Sequence, residues 1–152
     1  MGKLQKYANK SNLMNIEIKI GAEKFKFNLY EELAINNANI NDEITIQPQV
    51  YGFLGLVVAK LVKALEEAEA NKKRIFAKLY LKYKDQKASN TGRFNSDDVC
   101  KALVENSGVY KKYVGRYLLA KEQLQTIQHS LEAFKQRKDL LQTLSSNNRA
   151  SS

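Results

Sequence analysis

The chain has 152 residues but only one cysteine, one histidine, one proline and no tryptophan. A lone cysteine excludes an intrachain disulfide framework. One cysteine with one histidine cannot supply the usual Cys/His ligand set of a zinc site. There is no GxGxxG, no GxxxxGK and no GxSxG, so the signatures of dinucleotide, P-loop and serine-hydrolase chemistry are missing. Long hydrophobic runs are also missing. The most apolar stretch, Val50–Ala59, has ten residues, where a membrane helix needs about 20. The start, Met-Gly-Lys-Leu-Gln-Lys, has no apolar segment of the signal-peptide kind. These absences predict a cytoplasmic protein with no membrane partner, no enzymatic activity, no metal and no cofactor. Cys100 suits a reducing interior.

What is present is charge. Lysine and arginine number 25 against 16 acids, a net charge of +9. Hydrophobic residues at 43% are enough for a core. The charge is uneven: residues 1–10 carry +3, residues 11–71 carry −4, residues 72–93 carry +7 and residues 94–152 carry +3. One window of 22 residues holds most of the excess. That points to an anionic partner.

The patterning predicts a mainly α fold: a long antiparallel helical hairpin with a short connecting helix and a small N-terminal β-hairpin. Residues 1–14 read as a flexible N-terminus. Ile16, Ile18 and Ile20 alternate with Glu17 and Lys19; after the Gly21–Lys24 turn, Phe25, Phe27 and Leu29 alternate with Lys26 and Asn28. This is a β-hairpin pattern, and its apolar face must pack on something. A short helix over Tyr30–Ile35 and a short strand Ile44-Thr-Ile46 complete a segment 15–47. A long helix follows from Gln49 to about Tyr83, with Pro48 at its start. Its apolar seam runs Leu54, Val58, Leu61, Leu65, Ala68, Ile75 and Leu79, interrupted by Lys72. Lys84–Gly92 reads as a loop. Ser96 reads as the cap of a helix Asp97–Glu105. The last helix repeats Tyr110, Tyr113, Tyr117, Ala120, Leu124, Ile127, Leu131, Phe134, Lys138 and Leu141 at 3–4 spacing, with Lys138 the break. Residues 48–144 thus form a helical region for oligomerisation and nucleic-acid binding, and residues 145–152 a disordered polar tail.

The first half of the long helix is apolar nearly all round, with Phe53, Leu56, Val57 and Val62 beside the seam. A helix of that kind is covered on all sides, which one thin hairpin cannot do. A homo-oligomer built through Leu54, Val58, Leu61 and Leu65 is therefore expected.

The basic window reads Lys72-Lys-Arg-Ile-Phe-Ala-Lys-Leu-Tyr-Leu-Lys-Tyr-Lys-Asp-Gln-Lys87. On a helix, Arg74, Lys78 and Lys82 form one stripe, with Lys73, Tyr80 and Lys84 on the neighbouring one. Cations displace counterions from phosphates, and tyrosine faces stack on unpaired bases. The candidate nucleic-acid residues are Lys72, Lys73, Arg74, Lys78, Tyr80, Lys82, Tyr83, Lys84, Lys87 and Arg93. The other reading is a solvated charged face with its tyrosines packed inside the hairpin. His129, one position off the seam, reads as structural. Glu66, Glu67 and Glu69 beside Lys63, Lys72 and Lys73 read as an ion-pair face, Glu69 and Lys73 being at i,i+4.

Three segments resemble the UvsY-type recombination mediators of tailed phages: Leu29-Tyr-Glu-Glu-Leu33 ahead of Ile40-Asn-Asp42; Lys72-Lys73 with Ala77-Lys-Leu79 and Tyr83; and Leu131-Glu-Ala-Phe-Lys-Gln-Arg137. The resemblance spans roughly residues 29–145. The hairpin of residues 15–29 looks like an addition, and the family's paired tyrosines are here Lys82-Tyr83. The resemblance implies single-stranded DNA binding, a ring-like homo-oligomer, and loading of a RecA-type recombinase onto DNA coated by single-strand-binding protein. It also implies no catalysis and no cofactor, in the host cell cytoplasm if phage-encoded. The alternative from another class is a helical assembly or adaptor protein, such as a phage scaffold or chaperone.

Overall fold

A computed structural model describes residues 14–151; of the expected flexible N-terminus, residues 1–13 lie outside the described residues. The elements are β1 (Asn15–Ile20), β2 (Glu23–Asn28), α1 (Leu29–Leu33), α2 (Ile40–Lys84), α3 (Asp97–Asn106) and α4 (Gly108–Ala150), with a 3-10 turn at Asn37–Asn39 before α2. The fold is mainly α with a small β-hairpin, as the patterning predicts. The described residues divide into two compact units, residues 14–61 with 123–151, and residues 62–122.

In the first unit, β1 and β2 pair antiparallel, Ile16 opposite Phe27 and Ile18 opposite Phe25. The connecting loop is two residues, Gly21-Ala22, rather than the four expected from sequence. Gly21 has φ +61. Glycine at the first position of a two-residue loop, followed by an ordinary residue, gives a turn whose twist matches the strands. The apolar face is covered: Ile16 and Ile18 are buried, and the Phe25 ring meets Phe53 of α2 edge-on at 5.5 Å. Asn28 caps α1 by accepting from the Glu31 N–H at 3.1 Å, and Glu31 and Glu32 lie favourably in its first turn.

The sequence reading fails at the start of α2. The expected strand Ile44–Ile46 is helical, and Pro48 lies inside the helix rather than at its beginning. The reason is tertiary. A helix brings Ile40, Glu43 and Gln47 to one face, whereas a strand would put Ile40 opposite the other two. That face is used. Arg137 of α4, itself buried, donates from Nη1 to Gln47 Oε1 at 2.5 Å. It donates from Nη2 to Ala34 O at 3.0 Å and from Nε to Leu33 O at 3.2 Å, and it also pairs with Glu43. Gln47 Nε2 donates onward to Phe134 O at 2.7 Å. A proline in a helix interior costs about 3 kcal/mol relative to alanine, and a fully satisfied buried network of this size offsets it.

Here α2 and α4 run antiparallel, Glu43 and Gln47 facing Arg137 and Phe134. Leu54, Val57, Leu61, Leu124, Ile127, Phe134 and Leu141 form the core between them. The seam on α4 keeps Ile127, Phe134 and Leu141, but Ser130 and Arg137 are buried where Leu131 and Lys138 were expected. The buried positions Ile127, Ser130, Phe134, Arg137 and Leu141 still follow 3–4 spacing, with the alternate positions one residue earlier than expected, and the bonds from Arg137 to Gln47 and Glu43 hold that face inward. The expected disordered tail is also corrected: α4 stays helical to Ala150. Its hydroxyls bond back one turn, Ser146 Oγ to Gln142 O at 3.0 Å and Thr143 Oγ1 to Asp139 O at 3.1 Å, so polar composition does not break the helix.

The second unit has fewer buried hydrophobic residues among those described, Cys100 and Val104 of α3. The later part of α2 and the first part of α4 run antiparallel: Phe76 meets Tyr110 at 5.6 Å, and Lys72 lies over Tyr117. Ser96 caps α3, accepting from Val99 N at 3.4 Å. Ser107 ends it and accepts from Tyr110 N in the first turn of α4, so one residue serves two helix ends.

Candidate nucleic-acid interface

The ten candidate residues all belong to the second unit, which carries fourteen bases and eight acids. Helix α2 sorts them by face. Lys73, Arg74, Lys78 and Lys82 are exposed; Lys72, Tyr80, Tyr83 and Lys84 are half-buried.

The half-buried group is occupied structurally. Lys72 Nζ sits 4.0 Å from the centroid of the Tyr117 ring, a cation–π contact inside the helix pair. The Tyr80 ring lies nearly parallel to Phe76, 16° between planes and 6.3 Å between centroids, so one of its faces is taken. Its hydroxyl donates to Asp97, which raises the Tyr80 pKa. Lys84 pairs with the same carboxylate. Asp97 is held below the ordinary aspartate range, first by Lys84 and then by Tyr80. Asn95 Nδ2 donates to Tyr83 O at 2.9 Å. These contacts fasten the loop after α2 onto the helix end. Tyr80 is thus engaged by Phe76 and Asp97, while Tyr83 is half-buried and meets the loop through its backbone carbonyl.

The exposed group is different. Lys73 pairs with Glu69 at 2.9 Å, the expected i,i+4 pair. Arg74 donates to the neutral Asn71 side chain, which leaves its charge uncompensated. Among the described residues, no ion pair engages Lys78 or Lys82. Arg74, Lys78 and Lys82 thus form a cationic stripe with charges about 6 Å apart along the axis.

The sequence reading missed Phe94. It is 62% exposed in the loop that holds Lys87 and Arg93. Lys87 and Phe94 form a single β-bridge, and Lys87 Nζ lies 5.4 Å from the ring centroid. Gly92, with φ +64, makes the bend between them. Phe94 sits just beyond the basic window; the signal available in sequence was an aromatic directly after Arg93 in a polar loop.

The expected oligomerisation residues divide as well. Leu54 and Leu61 are covered within the chain, 3% and 1% exposed, so they belong to the intrachain core and not to a subunit surface. Val58 and Leu65 are half-buried. The uncovered large apolar residues of α2 are Ile46, Tyr51, Phe53, Leu56, Val62 and Leu81, with Leu56 at 69% and Leu81 at 63%. The apolar stretch is also longer than the ten-residue run indicated, because Leu61, Val62 and Leu65 resume the pattern after Lys60. Within Asn37–Lys84 a window of 18 residues reaches mean hydropathy 1.3 with 17% of it buried. By length and composition that helix is able to cross a membrane. Among the described residues, no group of three or more His, Cys, Asp or Glu is placed to hold a metal ion.

Comparison with protein families, curated proteins and solved structures returns no match.

Proposed function

We propose that this chain is a self-associating, non-enzymatic protein that binds single-stranded DNA and helps load a RecA-type recombinase onto strands coated by single-strand-binding protein. The observation that carries the reading is the uncompensated stripe Arg74–Lys78–Lys82 together with an exposed aromatic, Phe94, held beside Lys87 in the loop after α2. Cations at one-turn steps suit a phosphate backbone. An exposed ring among cations suits an unpaired base, each stacked base being worth about 1–3 kcal/mol. The exposed apolar residues of α2 support self-association. The resemblance to UvsY-type mediators supports the recombinase step.

Fluorescence-anisotropy titration on single-stranded and duplex oligonucleotides of one sequence tests the binding. Single strands are preferred if bases stack, since paired bases offer no open face. Equal affinity would leave only a basic surface, and no binding would favour the helical adaptor. Recombinase filament formation on protein-coated single strands, with and without this chain, tests the loading step.

A further inference from the structure

The β-hairpin carries an interaction surface of its own. Among the described residues β1 pairs with β2 alone. The two-residue loop makes Ile20–Glu23 a hydrogen-bonded pair. By alternation Ile18–Phe25 and Ile16–Phe27 are hydrogen-bonded pairs too, and the main-chain groups of Glu17 and Lys19 point away from β2, along the outer edge of β1. Asn15 and Asn28 fit this alternation. They form a non-hydrogen-bonded pair, whose side chains are closer, and their amides meet at 2.7 Å. The side chains of Glu17 and Lys19 are exposed, while Ile16 and Ile18 are buried on the other face.

An unpaired strand edge is a template for another strand, and the two edges of this hairpin differ in what they accept. On β2 the outward groups belong to Lys24 and Lys26, and every antiparallel self-pairing centred on them sets lysine against lysine. On β1 one register does the opposite. With Ile18 on a two-fold axis, Glu17, which bridges Lys26 at 3.1 Å and Lys24 at 3.4 Å on its own hairpin, also faces the partner's Lys19, and Lys19 faces the partner's Glu17. All four residues present outward main-chain groups, which supplies about four hydrogen bonds. Ile16 faces the partner's Ile20 on the apolar side. Shifting the register by one step either way sets Glu17 on Glu17 or Lys19 on Lys19.

We infer that the outer edge of β1 pairs antiparallel with β1 of a second copy, in the register that sets Glu17 opposite Lys19, making a four-stranded sheet across two chains. This rests on the reading of the chain as self-associating and adds the surface and register. It does not need nucleic-acid binding. Such a contact is isologous and closes on itself.

Sedimentation velocity on the full chain tests it with two charge variants. Glu17→Lys and Lys19→Glu each place like charges in both cross-strand pairs, and each alone weakens association about tenfold; Glu17→Gln, which gives up the same bridges to Lys24 and Lys26 without setting like charges across the seam, is the control and weakens it less. Mixed one to one, the two charge variants restore wild-type association, because each then meets its complement. Lys19→Pro, which removes an outward N–H and leaves the β2 ladder intact, also abolishes it; a thermal melt confirms that each variant is folded. Wild-type chain that stays monomeric overturns the self-association reading itself. Association that none of these variants alters, or single variants that do not rescue each other, overturns the edge contact alone. Open-ended growth in place of a closed contact overturns the two-fold register.

Discussion

Arg137 reaches Glu43 across 94 residues of sequence. That ion pair, 7% exposed on the arginine and 21% on the glutamate, fastens α4 to the first turn of α2. The same guanidinium takes the Leu33 and Ala34 carbonyls at the end of α1. One side chain therefore sets the meeting point of three helices.

Arg137→Ala should destabilise the fold by about 2–4 kcal/mol, because Gln47 and two carbonyls lose their donor. Arg137→Lys should recover little, since an ammonium cannot match the fork that reaches several acceptors at once. Urea unfolding followed by circular dichroism measures both. A loss under 1 kcal/mol for Arg137→Ala would show the network to be ornamental.

The same pair predicts an acid limb. The hydrogen bond from Arg137, and a weaker one from the Asn36 N–H, hold the Glu43 pKa below its ordinary 4.5. A carboxylate whose folded pKa is depressed stabilises fully above its unfolded value. That contribution is lost as pH falls through the folded one. Stability should therefore drop below about pH 4.5, and the drop should be shallower in Glu43→Gln. Urea midpoints between pH 6 and pH 3 decide it; parallel curves for the two proteins would refute the assignment.

Two helix-interior positions of α2 should gain from alanine. Pro48→Ala restores the bond to the Ile44 carbonyl and should raise stability by about 1–3 kcal/mol. Gly52 is exposed and an added Cβ would meet nothing within 4 Å, so Gly52→Ala should add about 0.5–1 kcal/mol. If Gly52→Ala stabilises the chain yet weakens its association, the outer face of α2 is a close contact between copies.

For binding, Arg74→Ala, Lys78→Ala and Lys82→Ala together should remove most affinity without unfolding the protein. Lys121→Ala on α4 should matter less. Lys78→Ala alone should flatten the slope of log affinity against log salt by about 0.7. Phe94→Ala should weaken binding and leave that slope nearly unchanged, because stacking releases no counterions. Tyr80→Phe should lower the melting temperature, through loss of the bond to Asp97, with little effect on affinity. Anisotropy at four salt concentrations separates these outcomes. A larger affinity loss from Tyr80→Phe than from Phe94→Ala would reverse the roles assigned to the two rings.

The elements that periodicity can write were legible in the sequence. Alternating Ile and Phe around Gly21 marked the hairpin. Ser96 before Asp97 and Asp98 marked α3, and 3–4 spacing marked both long helices, because each of these signals is local to a few turns of chain. The misreadings that matter most for the packing had nonlocal causes. Ile44–Ile46 reads as a strand until Arg137 arrives from the far end of the chain and rewards a helical face holding Glu43 and Gln47. Lys138 reads as the seam position until Glu43 and Gln47 of α2 supply acceptors that draw Arg137 inward. Leu54 and Leu61 read as a surface between subunits until α4 covers them. Tyr80 reads as a free stacking platform because sequence shows which residues share a stripe but not which of them a neighbouring ring and carboxylate engage, as Phe76 and Asp97 engage Tyr80. Charge, composition and helical phase are properties of the chain and were determined by it. Which face is covered depends on a partner segment distant in sequence, and only the tertiary structure decided that.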